Sequence, residues 1–253
     1  MTGAKVWCSV VISPHFDDAA LSVGGFVRRL TGGTAVVTVH GGPPGGEQPI
    51  SEWDARCGFT TAQEAYRVRL AEDARGCALL GVDQVALPHA DGPYRRGEPL
   101  DALKAFLDQL DSGTEVYLPL GTNQPDHATV RDQALRALAG RAGPPTKVYA
   151  DLPYTAIAPG WGTDAADSLL ATAPSGLAYR TLRDQYALML AEHVRLNADE
   201  WSHKRDAILC YSSQIGPIAG MSESCEMGAL LRYPGPLQFE LIWRLESGAT
   251  AAD

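Results

Sequence analysis

The segment WCSVVISPHFDDAALSV, residues 7–23, joins a strand to a helix and sets the pattern for the rest of the chain. Its first part, 7–13, is a largely apolar, β-branched run, which predicts a strand covered on both faces. Pro14 ends that run, and from residue 18 to residue 30 the apolar positions recur at helical spacing. The segment therefore reads as the first half of a β-α-β unit.

The same alternation of strand and helix continues through the first 154 residues. Further strands are predicted over 34–40, 82–88, 115–120 and 147–154, and helices over 61–80, 100–111 and 127–140. Gly81 is placed where it can end the second helix, and the Gly/Pro-rich stretch 41–49 can only be a loop. Strands separated by helices predict an α/β, Rossmann-like fold, in which a mostly parallel sheet is flanked by helices.

The last hundred residues are less regular. Residues 157–177 are rich in Gly, Pro and Ala and predict an extended loop, followed by helices over 179–196 and 202–215. Residues 237–245 predict a final strand at the edge of the sheet. No linker divides the chain, so we expect 1–253 to form a single domain with elaborated loops.

Composition narrows the possible partners. The chain is 45% hydrophobic and has a net charge of −9 without a cluster of basic residues, which disfavours nucleic acid as a partner. It has no apolar stretch long enough for a membrane span and no secretory signal, so we expect a cytoplasmic protein. Its five cysteines show no C-x-x-C spacing, which disfavours a disulfide framework or a cysteine zinc site. The oligomeric state cannot be inferred from these features.

Polar clusters follow two of the predicted strands. His15, Asp17 and Asp18 follow the strand 7–13, whereas Asp126 and His127 follow the strand 115–120. The carboxyl ends of parallel strands meet at one rim of a sheet, and ligands bind there. We therefore expect both clusters to face the same crevice.

The bland interpretation is that these carboxylates cap helices. A helix cap needs one carboxylate and no histidine beside it. Two clusters of carboxylates and histidines on one rim therefore favour a ligand-binding or catalytic site over helix capping. Two histidines and an aspartate can hold zinc with an open water position, although iron or another divalent ion also fits. A remaining carboxylate could then act as general base, which predicts metal-assisted hydrolysis.

At these residues the chain resembles the PIG-L/LmbE-like N-deacetylases, metal-dependent hydrolases acting on N-acetylglucosaminyl groups and related amides. The family signature P-H-x-D-D is found at 14–18 and the signature P-D-H at 125–127. The family often has Glu after the double Asp, whereas Ala19 places this chain in the S-P-H-x-D-D-A subset. Weaker matches extend the resemblance to roughly residues 6–215: Arg69-x-x-Glu72, Ala90-Asp91-Gly92-Pro93-Tyr94-Arg95, Asp151-Leu152-Pro153-Tyr154 and Lys204-x-x-Ala207.

The resemblance implies a role for each matching position. The implied metal ligands are His15, Asp18 and His127, with Asp17 as the general base and Asp126 as a carboxylate that orients or polarises a histidine. Arg69 and Asp91 fall where the family often contacts sugar hydroxyls. Apart from the resemblance, Tyr154 lies in or near a predicted loop, where it could form an aromatic wall for a sugar ring. The alternatives are a surface arginine, a turn-forming aspartate and a core aromatic residue.

Gln124 departs from the family pattern, which usually has histidine three residues before the last ligand. A glutamine amide can donate a hydrogen bond to an oxyanion but cannot release a proton. We expect Asp17 to return its proton to the leaving amine. His40 and His89, which end the second and third predicted strands, are the alternative acids.

Three functions remain open from the sequence. The leading hypothesis is a zinc-dependent hydrolase that removes an N-acyl group, an acetyl group in the first instance, from an amino sugar or glycoside in specialised metabolism. The second keeps the metal but acts on another C–N bond, such as an amide of a thiol conjugate, and Gln124 is its main support. The third is a non-catalytic metal or sugar binder of the same fold. In each case the partner is a small molecule.

Overall fold

A seven-stranded mixed sheet forms the centre of the computed structural model, which describes residues 6–46, 48–95, 97, 99–219 and 230–247. The strands are β1 (Ser9–Ser13), β2 (Thr34–Thr38), β3 (Asp83–Ala86), β4 (Glu115–Pro119), β5 (Lys147–Tyr149), β6 (Tyr186–Arg195) and β7 (Phe239–Ser247). Their order is β3-β2-β1-β4-β5-β7-β6. The first five are mutually parallel, and β7 pairs antiparallel with both β5 and β6. The predicted α/β fold with a mostly parallel sheet is confirmed.

Helices cover both faces of this sheet. The α-helices of the described ranges are α1 (Asp18–Val23), α2 (Glu52–Arg56), α3 (Ala62–Leu80), α4 (Asp101–Asp108), α5 (Pro125–Leu138), α6 (Ala166–Leu170), α7 (Leu177–Arg183), α8 (Ala198–Ile208) and α9 (Ser212–Ala219). Successive residues of a strand point to opposite faces. Accordingly, Val10 and Ile12 of β1 belong to the apolar cluster that includes α4 and α5, whereas Val11 belongs to the cluster that includes α1, α3 and α8.

The ends of α3 follow the sequence signals. The Thr61 side chain accepts a hydrogen bond from the backbone N–H of Glu64 at the start of the helix. Gly81 ends it in the left-handed conformation, with a φ of 73°. The predicted helix 61–80 is confirmed.

The helix predicted over 18–30 is wrong in its second half. α1 ends at Val23, and a short 3-10 helix, Phe26–Arg29, follows after two glycines. A Cβ on Gly25 would lie 2.3 Å from Cδ2 of Leu196, so a larger residue here would have to displace that side chain. Both glycines have right-handed helical backbone angles, so the chain passes from α1 into the 3-10 helix without an extended residue between them.

The helix predicted over 179–196 is also largely wrong. α7 ends at Arg183, and residues from Tyr186 onward form β6, which pairs with β7 along its whole length. The segment is rich in Ala, Leu and Met, which favour helices, but strand pairing with a distant segment overrides local preference.

Smaller corrections concern three other segments. The final strand, predicted at an edge, lies between β5 and β6 and is interior. Residues 157–177, predicted as a loop, contain α6 and a 3-10 helix, Pro174–Gly176. The helix predicted over 202–215 is two helices, α8 and α9, with a break at residues 209–211.

The strand order places a crevice at the centre of the sheet. From β1 the chain proceeds outward through β2 and β3, and then returns to the other side of β1 as β4. The loops that follow β1 and β4 therefore flank the topological switch point, where α/β proteins bind ligands. Within the described ranges, no helix combines the length and the apolar character that a membrane crossing requires.

Candidate active site

A cleft of about 290 Å³ opens at this switch point, at the low end of the range for small-molecule sites. Eight of the nine residues singled out from the sequence line it: His15, Asp17, Asp18, Arg69, Asp91, Gln124, Asp126 and Tyr154. The ninth, His127, is 1% exposed and lies against Asp18. The predicted meeting of the two polar clusters is therefore what the structure shows.

His15, Asp18 and His127 have the spacing of a metal site. Their ligand atoms all lie within 4.8 Å of one another. Oδ2 of Asp18 is 3.2 Å from Nδ1 of His15 and 3.1 Å from Nε2 of His127. Tetrahedral ligands at normal zinc bond lengths are separated by about 3.4 Å, close to both distances.

The orientation of His127 strengthens the fit. Nδ1 of His127 lies 2.8 Å from Oδ1 of Asp151, so it carries the ring proton in the neutral form. Nε2 is buried and faces Asp18 without hydrogen-bond geometry. A buried nitrogen lone pair beside two other ligand atoms is what a divalent cation satisfies, so the residues fit such an ion.

Asp151 contacts the candidate ligand His127 but was not among the site residues predicted from the sequence. It follows β5, is 1% exposed and accepts hydrogen bonds from the backbone N–H groups of Gly121 (2.6 Å) and Thr122 (2.9 Å) as well as holding His127. One carboxylate therefore fixes both the loop after β4 and the ring of a candidate ligand. The only sequence signal was the weak match of the segment 151–154 to the family.

His15 has a similar arrangement on its other nitrogen. Its Nε2 lies 3.3 Å from Oδ1 of Asp91 and 3.7 Å from Oδ2 of Asp126. These three residues also lie within metal-ligating distance of one another. Arg69 is 3.7 Å from Asp91 and Arg95 is 3.8 Å from Asp126, so these carboxylates already have cationic neighbours. The group with the partnerless His127 nitrogen is the better metal site.

Asp17 is buried next to this group and titrates unusually. Burial, followed by the negative charge of Asp18, raises the pKa of Asp17 to about 7. Burial would also raise the pKa of Asp18, but the neighbouring imidazoles of His127 and His15 outweigh it and hold that pKa well below its usual range. The two adjacent carboxylates thus differ in protonation: Asp18 stays ionised, whereas Asp17 can exchange a proton near neutral pH.

Gln124 and Tyr154 add neutral hydrogen-bond donors to the cleft. Gln124 precedes α5 at the capping position, but its side chain makes no cap hydrogen bond and reaches the cleft. There it is within hydrogen-bonding reach of the Tyr154 hydroxyl. The Tyr154 ring stands edge-on to His127, with centroids 5.7 Å apart.

Arg69 is not a surface arginine. It is 7% exposed and forms an ion pair with Asp54, whose carboxylate also accepts a hydrogen bond from the Tyr94 hydroxyl. This network ties α2 and the loop before α4 to α3, one wall of the cleft. Arg69 therefore holds the wall together as well as facing the cleft.

The two alternative acids differ in position. His40 lines the cleft and stacks on His15, with ring centroids 5.3 Å apart, whereas His89 is not among the lining residues. Burial and the charge of His15 lower the pKa of His40 to about 4. His40 is therefore neutral at physiological pH and has no proton to release, which disfavours it as the missing acid.

Comparison with known proteins assigns the family. The sequence pattern of PIG-L, described as GlcNAc-PI de-N-acetylase, matches residues 10–138, which contain both polar clusters. The chain belongs to the PIG-L family. No curated protein matches the chain at a significant level.

Solved structures with a similar fold include two proteins named as deacetylases. A triple mutant of a deacetylase from the teicoplanin biosynthetic pathway matches with a TM-score of 0.72 and 22% identity, over 96% of this chain and 99% of that one. The A40926 pseudoaglycone deacetylase Dbv21 matches with a TM-score of 0.68 and 25% identity, over 98% and 100%.

The same fold also carries different chemistry. The 4-carboxy-2-hydroxymuconate hydratase GalB from Pseudomonas putida matches with a TM-score of 0.54 and 15% identity, over 97% of this chain and 98% of that one. The fold alone therefore does not determine the reaction, which depends on the residues of the site.

Proposed function

We propose that the protein is a metal-dependent hydrolase that removes an N-acyl group, an acetyl group in the first instance, from an amino sugar or glycoside. The observation that carries this proposal is the group His15, Asp18 and His127, in which Nε2 of His127 has no hydrogen-bond partner. The neighbouring Asp17 carboxyl, whose pKa is raised to about 7, can exchange a proton near neutral pH. Membership of a family described by de-N-acetylation supports the reaction. The two neighbours named as deacetylases support it further.

In this proposal His15, Asp18 and His127 hold the ion, which is zinc or another divalent metal such as iron. When bound, the metal polarises the acyl carbonyl and makes water a better nucleophile at neutral pH. Asp151 holds His127 in the ligating tautomer, and Asp91 and Asp126 stand in the corresponding place beside His15. The predicted role of Asp126, orienting a histidine, is thus retained and extended to Asp91.

Asp17 moves the proton. As the general base it accepts a proton from the attacking water, and it then returns that proton to the amine nitrogen as the C–N bond breaks. A carboxyl whose pKa burial raises towards neutrality suits both steps better than an ordinary aspartate. This scheme needs no separate acid, which agrees with the low pKa of His40.

Gln124 and Tyr154 stabilise the oxygen on which charge develops. Both side chains can donate a hydrogen bond into the cleft, and neither gives up a proton at neutral pH. Arg69 and Tyr154 contribute to the walls around the sugar, and the cleft volume suits a small molecule.

A second candidate is a hydrolase or related enzyme that keeps the metal but acts on another C–N bond, such as an amide of a thiol conjugate. Gln124 favours it, because the family pattern places a proton donor there and this chain does not. The hydratase of the same fold illustrates that such changes of reaction occur.

Elemental analysis of the purified protein, followed by mass-spectrometric screening of N-acetyl amino sugars and their glycosides, tests the proposal. We expect one metal equivalent per chain and a product in which hydrogen replaces the acetyl group, with the D17N protein as the inactive control. A metal-loaded enzyme that leaves every N-acetyl sugar intact and cleaves thiol-conjugate amides would establish the second candidate instead.

A further inference from the structure

His40 carries a buried hydrogen-bond acceptor for which the proposed reaction has no use. The residue follows β2, is 3% exposed and lines the cleft. Its Nδ1 lies 3.1 Å from the carbonyl oxygen of Ala90, so Nδ1 carries the proton and Nε2 presents a lone pair. Nε2 is buried and has no hydrogen-bond partner.

An acceptor left unpaired in this way destabilises the folded protein unless a ligand satisfies it. The partnerless nitrogen of His127 is accounted for by the metal group. His40, however, belongs to neither set of described residues that could hold an ion. Because His40 lines the cleft, a hydrogen-bond donor of a bound substrate can satisfy this nitrogen.

We propose that Nε2 of His40 accepts a hydrogen bond from a substrate hydroxyl adjacent to the N-acyl group, which makes His40 a specificity-determining residue. This inference rests on the proposed function. The donors of an N-acyl amino sugar are its hydroxyls and its amide N–H. His40 stacks on His15, a candidate metal ligand, with ring centroids 5.3 Å apart, so it lies close to where the amide would react. The hydroxyl next to the amide is the donor assigned to His40, because the amide itself would be held at the metal.

Two substitutions of His40 distinguish the role of the Nε2 acceptor from that of the rest of the imidazole ring. H40N keeps a polar group near the Nδ1 position, where Ala90 is contacted, and removes the acceptor at the Nε2 position. H40Q places an amide oxygen near the Nε2 position. H89N is the matched control, because the Nε2 of His89 is also buried and unpartnered but His89 does not line the cleft.

The test measures kcat/KM on an aryl glycoside of N-acetylglucosamine and on its 3-deoxy analogue, which lacks the adjacent hydroxyl. We expect wild type, H40Q and H89N to prefer the hydroxyl-bearing substrate by about 10-fold, and H40N to show no preference. A role in packing alone would lower both rates equally and leave the preference unchanged in H40N, which would overturn the inference while leaving the proposed function intact.

Metal content provides the second measurement. Wild type and H40N should carry the same number of metal equivalents. If wild type held an additional equivalent that H40N lost, Nε2 would be a metal ligand and the inference would be wrong. If wild type hydrolysed neither glycoside, both the proposed substrate class and this inference would fail together.

Discussion

Two buried groups of charges lie within the same fold and differ in how completely their atoms are paired. Lys204 and Glu240, both 0% exposed, form an ion pair of 2.7 Å. The ammonium also donates to the carbonyl oxygen of Leu237, and the carboxylate accepts from the backbone N–H groups of Gly25 and Phe26. We call these two residues the core pair.

The cleft cluster, His15, Asp17, Asp18 and His127, is paired less completely. Its last three members are buried almost as deeply as the core pair, whereas the side chain of His15 is 27% exposed. It contains adjacent carboxylates of raised and lowered pKa and an imidazole nitrogen without a hydrogen-bond partner. The two groups show that burial of charge does not by itself mark a functional site. The cleft cluster differs because its unpaired His127 nitrogen lies beside ligand atoms of His15 and Asp18, where a metal ion can pair it.

The largest expected effect is that of Asp17→Asn. If Asp17 moves the proton and does not bind the metal, D17N should lose about 10²–10⁴-fold in kcat while retaining one metal equivalent. Steady-state kinetics and elemental analysis measure the two quantities. Near-native turnover would remove Asp17 from the reaction, and loss of metal would mean that Asp17 rather than Asp18 is the ligand.

The D17N variant also tests whether the ionised Asp17 carboxyl lowers the stability of the metal-free protein. In the metal-free protein the pKa of Asp17 is raised to about 7, so the folded state binds a proton that the unfolded state releases. Ionised Asp17 therefore destabilises the fold, increasingly as pH rises from about 4 to 7. Metal-free D17N should consequently melt at a higher temperature than metal-free wild type at pH 8.

Breaking the core pair should affect stability rather than chemistry. Lys204→Met leaves Glu240 buried with an uncompensated charge, so we expect a loss of about 3–5 kcal/mol in the free energy of unfolding. The metal content and kcat of the folded fraction should stay native. Arg29→Met is the matched control, because its 2.7 Å ion pair with Glu200 is largely exposed and should contribute under about 1 kcal/mol.

Gln124 tests whether a neutral donor replaces the family histidine. Q124A should lose about 10²-fold to 10³-fold in kcat, typical of one oxyanion donor, without a new pH dependence. Q124H should add a titrating limb to the rate profile. A wild-type alkaline limb that disappears in H40A or H89A would instead show that a histidine supplies the proton.

The smallest expected effect concerns Asp151. D151N keeps the shape of the side chain but removes the charge that fixes the tautomer of His127. We expect metal affinity to fall by about 10-fold to 100-fold, measured by competition with a chelator. Unchanged affinity would show that Asp151 only supports the loop after β4.

The parallel half of the sheet and the main ligand candidates were predictable because their signals are local. A strand followed by P-H-x-D-D puts three polar residues at one strand end, and the sheet geometry then brings the second motif to the same rim. Asp151 was not predicted as a site residue, because the weak family match of segment 151–154 gives this aspartate no role until the fold places it beside His127. β6 was mistaken for a helix because its partner, β7, lies about fifty residues later in the chain.

The central claim is that the unpaired nitrogen of His127 belongs to a metal site, and metal occupancy measures this most directly. Wild-type, H127A and H203A proteins would be loaded with zinc, dialysed and analysed for metal, since His203 is an exposed histidine on α8. We expect one zinc equivalent per chain in wild type and H203A and none in H127A. A full equivalent retained by H127A would contradict the assignment of His127 as a metal ligand.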